Sequence, residues 1–457
     1  MPPALPLIKL IGPSFILLGL GLGSGEVILW PYLSSNWGLG IVWGAFLGIL
    51  FQFFINMEIE RYALVFGESV FVGFGRKWKY VPYWLIISTL IGFVWPGIIA
   101  SSAFLFAFVF GGNQTIIAIT FLLMIGIVLS VGKYIYNTVE RFSKIIIIIG
   151  IPFVFLLTLY FAKLSDWGAL FLGAIGKGND YWFFPQAIPL ASFFAAIAFS
   201  GAGGNLNLAQ SSYIREKGYG MGHFATKLKG LLEGGHQVVD LNGYEFEPSK
   251  ENVSRFGAWW RAVNIEHFFV FFVMGLLAMF LLLLLSYVTT FGIAGNETGI
   301  NFVINEARII GQKTLPLIGS LFALLMASML FLTQFTVLDA NSRIMSENYA
   351  ILKSHRNEKV HLSKIYYWFL WMQIIFGIII LASGFSEPLT LLVLSALINA
   401  VCMFVHIGLV YKLNQAELPA ILRLSKIRKI VIGIAFVFFG IFSATSFYKM
   451  IINIFVK

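Results

Sequence analysis

Two stretches decide the reading of this chain: Gly19-Leu20-Gly21-Leu22-Gly23-Ser24-Gly25-Glu26, and Ser200-Gly201-Ala202-Gly203-Gly204-Asn205-Leu206-Asn207-Leu208-Ala209-Gln210. Both sit inside apolar runs long enough to cross a bilayer. A glycine costs about 1 kcal/mol relative to alanine within a helix, so each run is expected to unwind at its glycines. In lipid every backbone N–H and C=O needs a partner, and unwound backbone survives only against protein or a water-filled cavity. Close packing of helices is the other use of such small residues. The first run is no dinucleotide loop, because its spacing is not G-x-G-x-x-G and no strand precedes it.

The surroundings of the two runs are those of a membrane protein. Hydrophobic residues make up 59% of 457 positions and charged residues 11%, against about 25% charged in a soluble domain. The net charge of +10 does not indicate a nucleic-acid partner, since the basic residues are scattered through short loops. Cys402 is the only cysteine, so no disulfide forms within the chain. No cleavable signal is expected at the N-terminus.

A crossing helix needs about 20 apolar residues. Eleven such stretches are read at roughly 13–33, 39–64, 82–110, 115–132, 144–163, 187–213, 264–290, 315–338, 365–384, 388–411 and 429–452. An all-α integral membrane protein, one domain over 1–457, is therefore predicted. Basic residues cluster after the even-numbered spans, as at Arg76, Lys77 and Lys79, at Lys133 and Arg141, at Arg215, Lys217, Lys227 and Lys229, and at Lys412, Arg423 and Arg428. The positive-inside rule then puts the N-terminus in the cytoplasm and the C-terminus outside the cell membrane. The polar segment of about 215–263 is expected to be a cytoplasmic connecting loop and the main extramembrane unit. His223 and His236 within it lack the spacing of a metal pair.

The two broken runs fall in spans one and six. Each would open a five-helix half, about 10–163 and about 185–411, with opposite orientation and with the helix at about 429–452 left over. Matching breaks in inverted halves point to the central site of a secondary transporter. Glu26 is a lone acid halfway through its span, and a carboxylate at the bilayer centre costs roughly 2.5–3.5 kcal/mol on insertion scales. It is expected to be a cation ligand (the one candidate metal ligand) or a proton carrier, with a hydrogen-bonded neutral acid as the alternative. Gly23, Ser24, Gly25, Gly201, Ala202, Gly203 and Gly204 would supply backbone around it, and Asn205, Asn207 and Gln210 amide groups. Glu58, Glu60 and Arg61 are expected to form an interfacial ion-pair cluster or a gate, and Asp339 with Arg343 a second pair. His406 reads as a hydrogen-bonded core histidine. Trp30, Tyr32, Trp37 and Tyr83 read as an interfacial aromatic belt.

Several islands carry a family resemblance. Gly12-Pro13, the glycine-rich break and Gln52 resemble the opening of the Nramp family of proton-coupled divalent metal transporters. Gly204 to Ser211 is similar to that family's sixth helix, and Val139-Glu140-Arg141 and Leu391-Leu392-Val393-Leu394-Ser395 are similar to its fifth and tenth. The resemblance implies the LeuT/APC-type fold of two inverted five-helix repeats and alternating access. Its metal-binding residues are replaced here. Gly23-Ser24-Gly25-Glu26 stands for Asp-Pro-Gly-Asn, Ala202 for the metal-binding Met, and Gly203 and Gly204 for Pro and His. Ala209 stands for a later His and Ala396 for a Gln. No acid or base lies between Lys79 and Lys133, so the family's buried proton-pathway acid is missing and weak proton coupling is expected. Losing the thioether removes a preference for soft transition metals, while Glu26 and amides suit a hard cation such as a partly hydrated Mg²⁺ or a Mn-type ion. The function expected is therefore an Nramp-like secondary transporter of a divalent cation. The alternative is a same-fold carrier of a small organic solute such as an amino acid or amine. No cofactor, nucleotide motif, nucleic-acid partner or enzymatic constellation is expected; lipid, the solute and protons are the partners.

Overall fold

The computed structural model describes residues 1–6, 10, 12–131, 135–225, 241–354, 361–384 and 387–455, with side chains to Thr445. Lys133, Lys227, Lys229 and His236 lie outside the described residues. Among those described, ten helices are long and apolar enough to cross a membrane. They are Pro13–Trp37, Leu39–Phe66, Val81–Phe110, Gln114–Val131, Ile135–Phe161, Lys250–Thr290, Pro316–Ser354, Leu362–Ala382, Pro388–Glu417 and Lys426–Thr445. The eleventh expected span, sixth in order, is present in two pieces, Leu190–Ala198 and Gln210–Lys217, joined through a 3₁₀ turn at Gly204–Ala209. The chain is thus an all-helical multi-pass membrane protein with spans numbered one to eleven in chain order.

The breaks follow from the residues that make them. Span one runs as α-helix over Pro13–Gly21, loses its pattern at Leu22 and Gly23, and resumes through a wide turn at Ser24–Leu29 into Trp30–Trp37. Gly19 and Gly21 therefore stay helical, and the break is shorter than the glycine count predicts. Span six is unwound over residues 199–203, where Gly201 and Gly203 take φ of +121° and +73°, values open to glycine and rarely to other residues. A third interruption was not foreseen. Span three is helical over Val81–Phe93 and Gly97–Phe110, with Pro96 between them, and proline removes a backbone donor and disfavours helix at the preceding residue.

The extramembrane parts differ from expectation. Span seven begins at Lys250 instead of near residue 264, so much of the supposed loop is helix, capped by Ser249 Oγ accepting from the Asn252 N–H. Nor is that segment the only candidate outside the spans: helix Leu164–Gly173 with a bridge between Lys177 and Trp182 follows span five, and helix Asn301–Lys313 follows span seven. Span eight is central, packing against both parts of span three, the first part of span one and spans five and nine. Span eleven lies outside, against spans ten and two.

Span eight also anchors the second part of span six by buried charges. Arg343 is bonded to Asp339 at 2.9 Å and to Glu216, Tyr213 and Tyr366 donate to Asp339 at 3.0 and 2.8 Å, and Arg215 meets Glu347 at 2.9 Å. All seven of these charged and phenolic residues are essentially without exposure. Removing one partner of a buried pair strands the other and costs about 3–5 kcal/mol. Arg343→Ala is accordingly expected to lower the denaturation midpoint of the detergent-solubilised protein strongly, whereas Arg255→Ala, in an exposed pair with Glu251, should leave it nearly unchanged.

Candidate functional site

The two breaks meet. A Cβ built on Gly25 would lie 1.9 Å from the carbonyl oxygen of Phe199, and one on Gly21 would lie 2.8 Å from Gly201 Cα and 2.9 Å from Glu26 Oε1. Only glycine permits so close an approach of the two backbones, and the Glu26 carboxylate stands at their crossing. Glu26 has no solvent exposure and no cation or side-chain partner among the described residues; its polar neighbours are backbone groups, its own and that of Gly201 at the other break. A buried carboxyl without an internal cation takes its counter-charge from a solute or carries a proton. Every residue from Gly19 to Glu26 and from Phe199 to Gln210 is buried, so the crossing is closed to solvent.

Neighbouring spans satisfy the loosened backbone. Gln52 on span two bridges the second break with its one amide: Nε2 donates to Ala198 O at 3.2 Å and Oε1 accepts from Gly203 N at 3.0 Å. Those groups belong to the last helical turn and to the unwound segment, which lack helical partners. Thr333 on span eight donates to Gly19 O at 2.9 Å, and a Cβ on Gly23 would strike its side chain at 2.3 Å. Trp30 Nε1 donates to Ser200 Oγ at 2.8 Å. Trp30 is fully buried and is a tie between the breaks, not a belt residue.

The amides divide. Asn205 Nδ2 donates to Ser88 and Thr89 on span three at 2.8 and 2.9 Å, leaving Oδ1 unpaired, and both amide atoms of Asn207 are unpaired. Asn399 on span ten fills the space beside Gly204, where a Cβ would meet its Oδ1 at 2.0 Å. That oxygen too is unpaired. Gln210 does not join this group; its Nε2 donates to Glu60 at 2.7 Å. Ala202 and Ser24 are buried nearby along their segments.

The expected cluster of Glu58, Glu60 and Arg61 splits. Arg61 pairs with Glu58 at 2.7 Å, Arg428 reaches Glu58 at 3.3 Å, and both guanidinium groups stack on Trp260. Glu60 faces away, as residues two apart on a helix do. His406 is fully buried in span ten, with the Cys402 backbone one turn away as its hydrogen-bonding neighbour. Among the described residues no three His, Cys, Asp or Glu side chains group as metal ligands. Sequence reasoning did not find Ser88, Thr89 and Asn399, which come to the crossing only through long-range packing. Gln52 was noticed through the family resemblance alone.

No protein-family profile matches the chain, and no curated protein matches it by sequence. Solved structures do. A manganese transporter of Eremococcus coleocola aligns over 98% of this chain and 88% of its own, with TM-score 0.70 and 12% identity. The nucleobase-cation-symport-1 family transporter Mhp1, solved with bromovinylhydantoin bound, aligns over 95% and 89% with TM-score 0.50 and 12% identity. MhsT in complex with L-phenylalanine aligns over 94% and 98% with TM-score 0.51 and 14% identity. The likeness is one of fold: the chain has the LeuT-type helical fold of these structures. Within that class the architecture is Nramp-like.

Gln52→Leu leaves the Gly203 N–H and the Ala198 C=O without partners, at about 1–3 kcal/mol for each buried group. A lowered thermal midpoint in detergent is expected, and Gly25→Ala, which drives a methyl into Phe199 O, should lower it further.

Proposed function

We propose that the protein is a secondary transporter that carries a cation across the cell membrane by alternating access, with Glu26 as its charged ligand. The observation that carries this reading is the fully buried Glu26 carboxylate, with no cation beside it among the described residues, at the crossing of two broken helices. Unwound backbone and half-helix ends at mid-membrane are how this transporter class holds ions and polar solutes. The Gly23–Gly25 and Gly201–Gly204 backbones, Asn205 and Asn207 would complete the site, and the motion would be that of the half-spans around it.

The favoured solute is a hard divalent cation of the Mg²⁺ or Mn²⁺ type, because the available donors are oxygens. A small organic cation is the second reading. It is favoured by the absence of a second acid among the described residues at the crossing and by the rings of Phe199 and Phe271, the latter 2.8 Å from a Cβ built on Gly201. The distribution of basic residues supports a cytoplasmic N-terminus and an external C-terminus. Repeats of about 10–163 and 185–411, the extra helix of about 429–452 and a cytoplasmic 215–263 segment complete this reading of a single transport domain. Ion pairs of Glu58 with Arg61 and of Asp339 with Arg343 would hold the cytoplasmic side closed.

Uptake of Mg²⁺, Mn²⁺ and Ca²⁺ into proteoliposomes tests it. Wild type is expected to accumulate at least one of them, and Glu26→Gln to lose about tenfold or more, as loss of a charge-assisted contact worth about 1.5–3 kcal/mol implies. Uptake indifferent to Glu26→Gln removes Glu26 from the mechanism. Uptake of none of the three, with saturable uptake of an amino acid or amine, moves the assignment to the organic cation.

A further inference from the structure

A second group of buried titratable side chains lies apart from Glu26 and is used by nothing above. Glu60 on span two and Glu266 and His267 on span seven are all buried, His267 and Glu60 with no exposure. His267 Nδ1 is 3.0 Å from Glu60 Oε1 and 2.9 Å from Ser14 Oγ, and Ser14 Oγ donates to Glu266 Oε2 at 2.5 Å. Since Ser14 spends its one proton on Glu266, its oxygen accepts from the imidazole, which places a proton on Nδ1. The chain therefore reads carboxylate, imidazole, hydroxyl, carboxylate. Glu60 Oε2 and His267 Nε2 have no partner among the described residues.

The ends of this chain fasten the two broken spans. Ser14 and the Gly12 N–H, 3.4 Å from Glu266 Oε1, belong to the first part of span one, and Gln210, donating to Glu60 at 2.7 Å, opens the second part of span six. His267 immediately precedes the wide turn Phe268–Val273 of span seven, which packs against the first part of span one.

The neighbouring charges are mostly committed elsewhere. On span two Glu58 and Arg61 pair with each other, and Arg428 on span eleven, paired with Glu58, also lies within the field of Glu60. On spans five and six Lys144 and Lys217 both pair with Glu140, Arg215 with Glu347 and Glu216 with Arg343. Tyr136 and Tyr219 face the carboxylates, their hydroxyls unpaired. Neither Glu60 nor Glu266 has a lysine or arginine in an ion pair among the described residues.

We infer that Glu60, His267 and Glu266 form a proton-binding latch, distinct from the Glu26 site, that holds the first part of span one against the second part of span six. Two buried carboxylates joined through one imidazole and one hydroxyl, with no lysine or arginine paired to either among the described residues, form a site where protons are the available counter-charge. With its protons bound the imidazole bridges the acids and both half-spans are held; with protons lost the carboxylates repel and the half-spans are released. The proton comes from and returns to bulk water. The inference rests on the transporter reading only for what the latch would gate.

Full-length protein reconstituted in lipid is titrated while the carboxyl C=O stretch is followed by infrared difference spectroscopy, each variant first being checked for monodispersity. Wild type is expected to show a buried carboxyl band that grows on acidification. Glu26→Gln should keep the pH-dependent change. Glu60→Gln and Glu266→Gln should each lose part of it and shift the rest, and Ser14→Ala, which removes no titratable group, should shift its midpoint. In a second measurement Leu17→Cys, in a Cys402→Ser background, is alkylated in detergent across the same pH range. Labelling is expected to slow on acidification more than the thiol's own ionisation explains, and His267→Gln should abolish that excess. A carboxyl titration unchanged in both Glu60→Gln and Glu266→Gln, or an excess that survives His267→Gln, overturns the proposal. Neither measurement uses uptake, so a protein that moved no Mn²⁺ would leave this test standing while failing the previous one.

Discussion

Backbone hydrogen bonding in a medium without water is the constraint on which this structure depends. Breaking a helix in mid-membrane frees N–H and C=O groups that lipid cannot satisfy. Here the side-chain amide of Gln52 serves both sides of the second break at once, Thr333 takes the Gly19 carbonyl, and Trp30 ties Ser200. Spans two and eight are therefore more than neighbours of the site: their polar side chains are what allow the site to exist. The glycines then let the two freed backbones touch, with the Phe199 carbonyl lodged where a Gly25 side chain would stand.

Charge is distributed in the same economical way. Around Arg343 and Arg215 every buried acid has its cation, which fixes the second part of span six to span eight. Among the described residues Glu26 is left without one, and so are Glu60, Glu266 and, on the helix after span seven, Glu306. An unbalanced acid costs stability in any interior and more in lipid, so each of these positions calls for a proton or a cation from outside the chain. Glu26 sits between the breaks, where in the proposed reading a solute would supply the missing charge. Glu60 and Glu266 join the first part of span one to the second part of span six through Ser14 and Gln210.

Much of this was legible in the sequence. Hydrophobic length located the ten long helices and the stretch that holds the two short pieces of the sixth, and glycine density located both breaks, because those signals are local. Their extents were less legible: Gly19 and Gly21 remain helical because packing against spans five and eight overrides propensity, and the span-three interruption at Pro96 was lost inside a long apolar run. Asp339 and Arg343 pair as i, i+4 spacing suggests. Partnerships across the fold could not be read, and they reassigned Gln210 to Glu60, separated Glu60 from Arg61, and carried Trp30 from an interfacial belt to the centre. The start of span seven at Lys250 was missed because polar residues there look like loop when hydropathy alone is weighed.

The claim that the two breaks form the solute's passage is tested most directly by access to Ala202, which is buried at the second break and stands where the resembling family has its metal-binding methionine. The single native cysteine, Cys402, is itself buried, so Cys402→Ser with Ala202→Cys gives a clean background for a charged, membrane-impermeant thiol reagent. Alternating access predicts labelling when the reagent is applied from either side of a sealed vesicle, each slowed by conditions that favour the other. Labelling from neither side, or from one side under all conditions, would contradict the account.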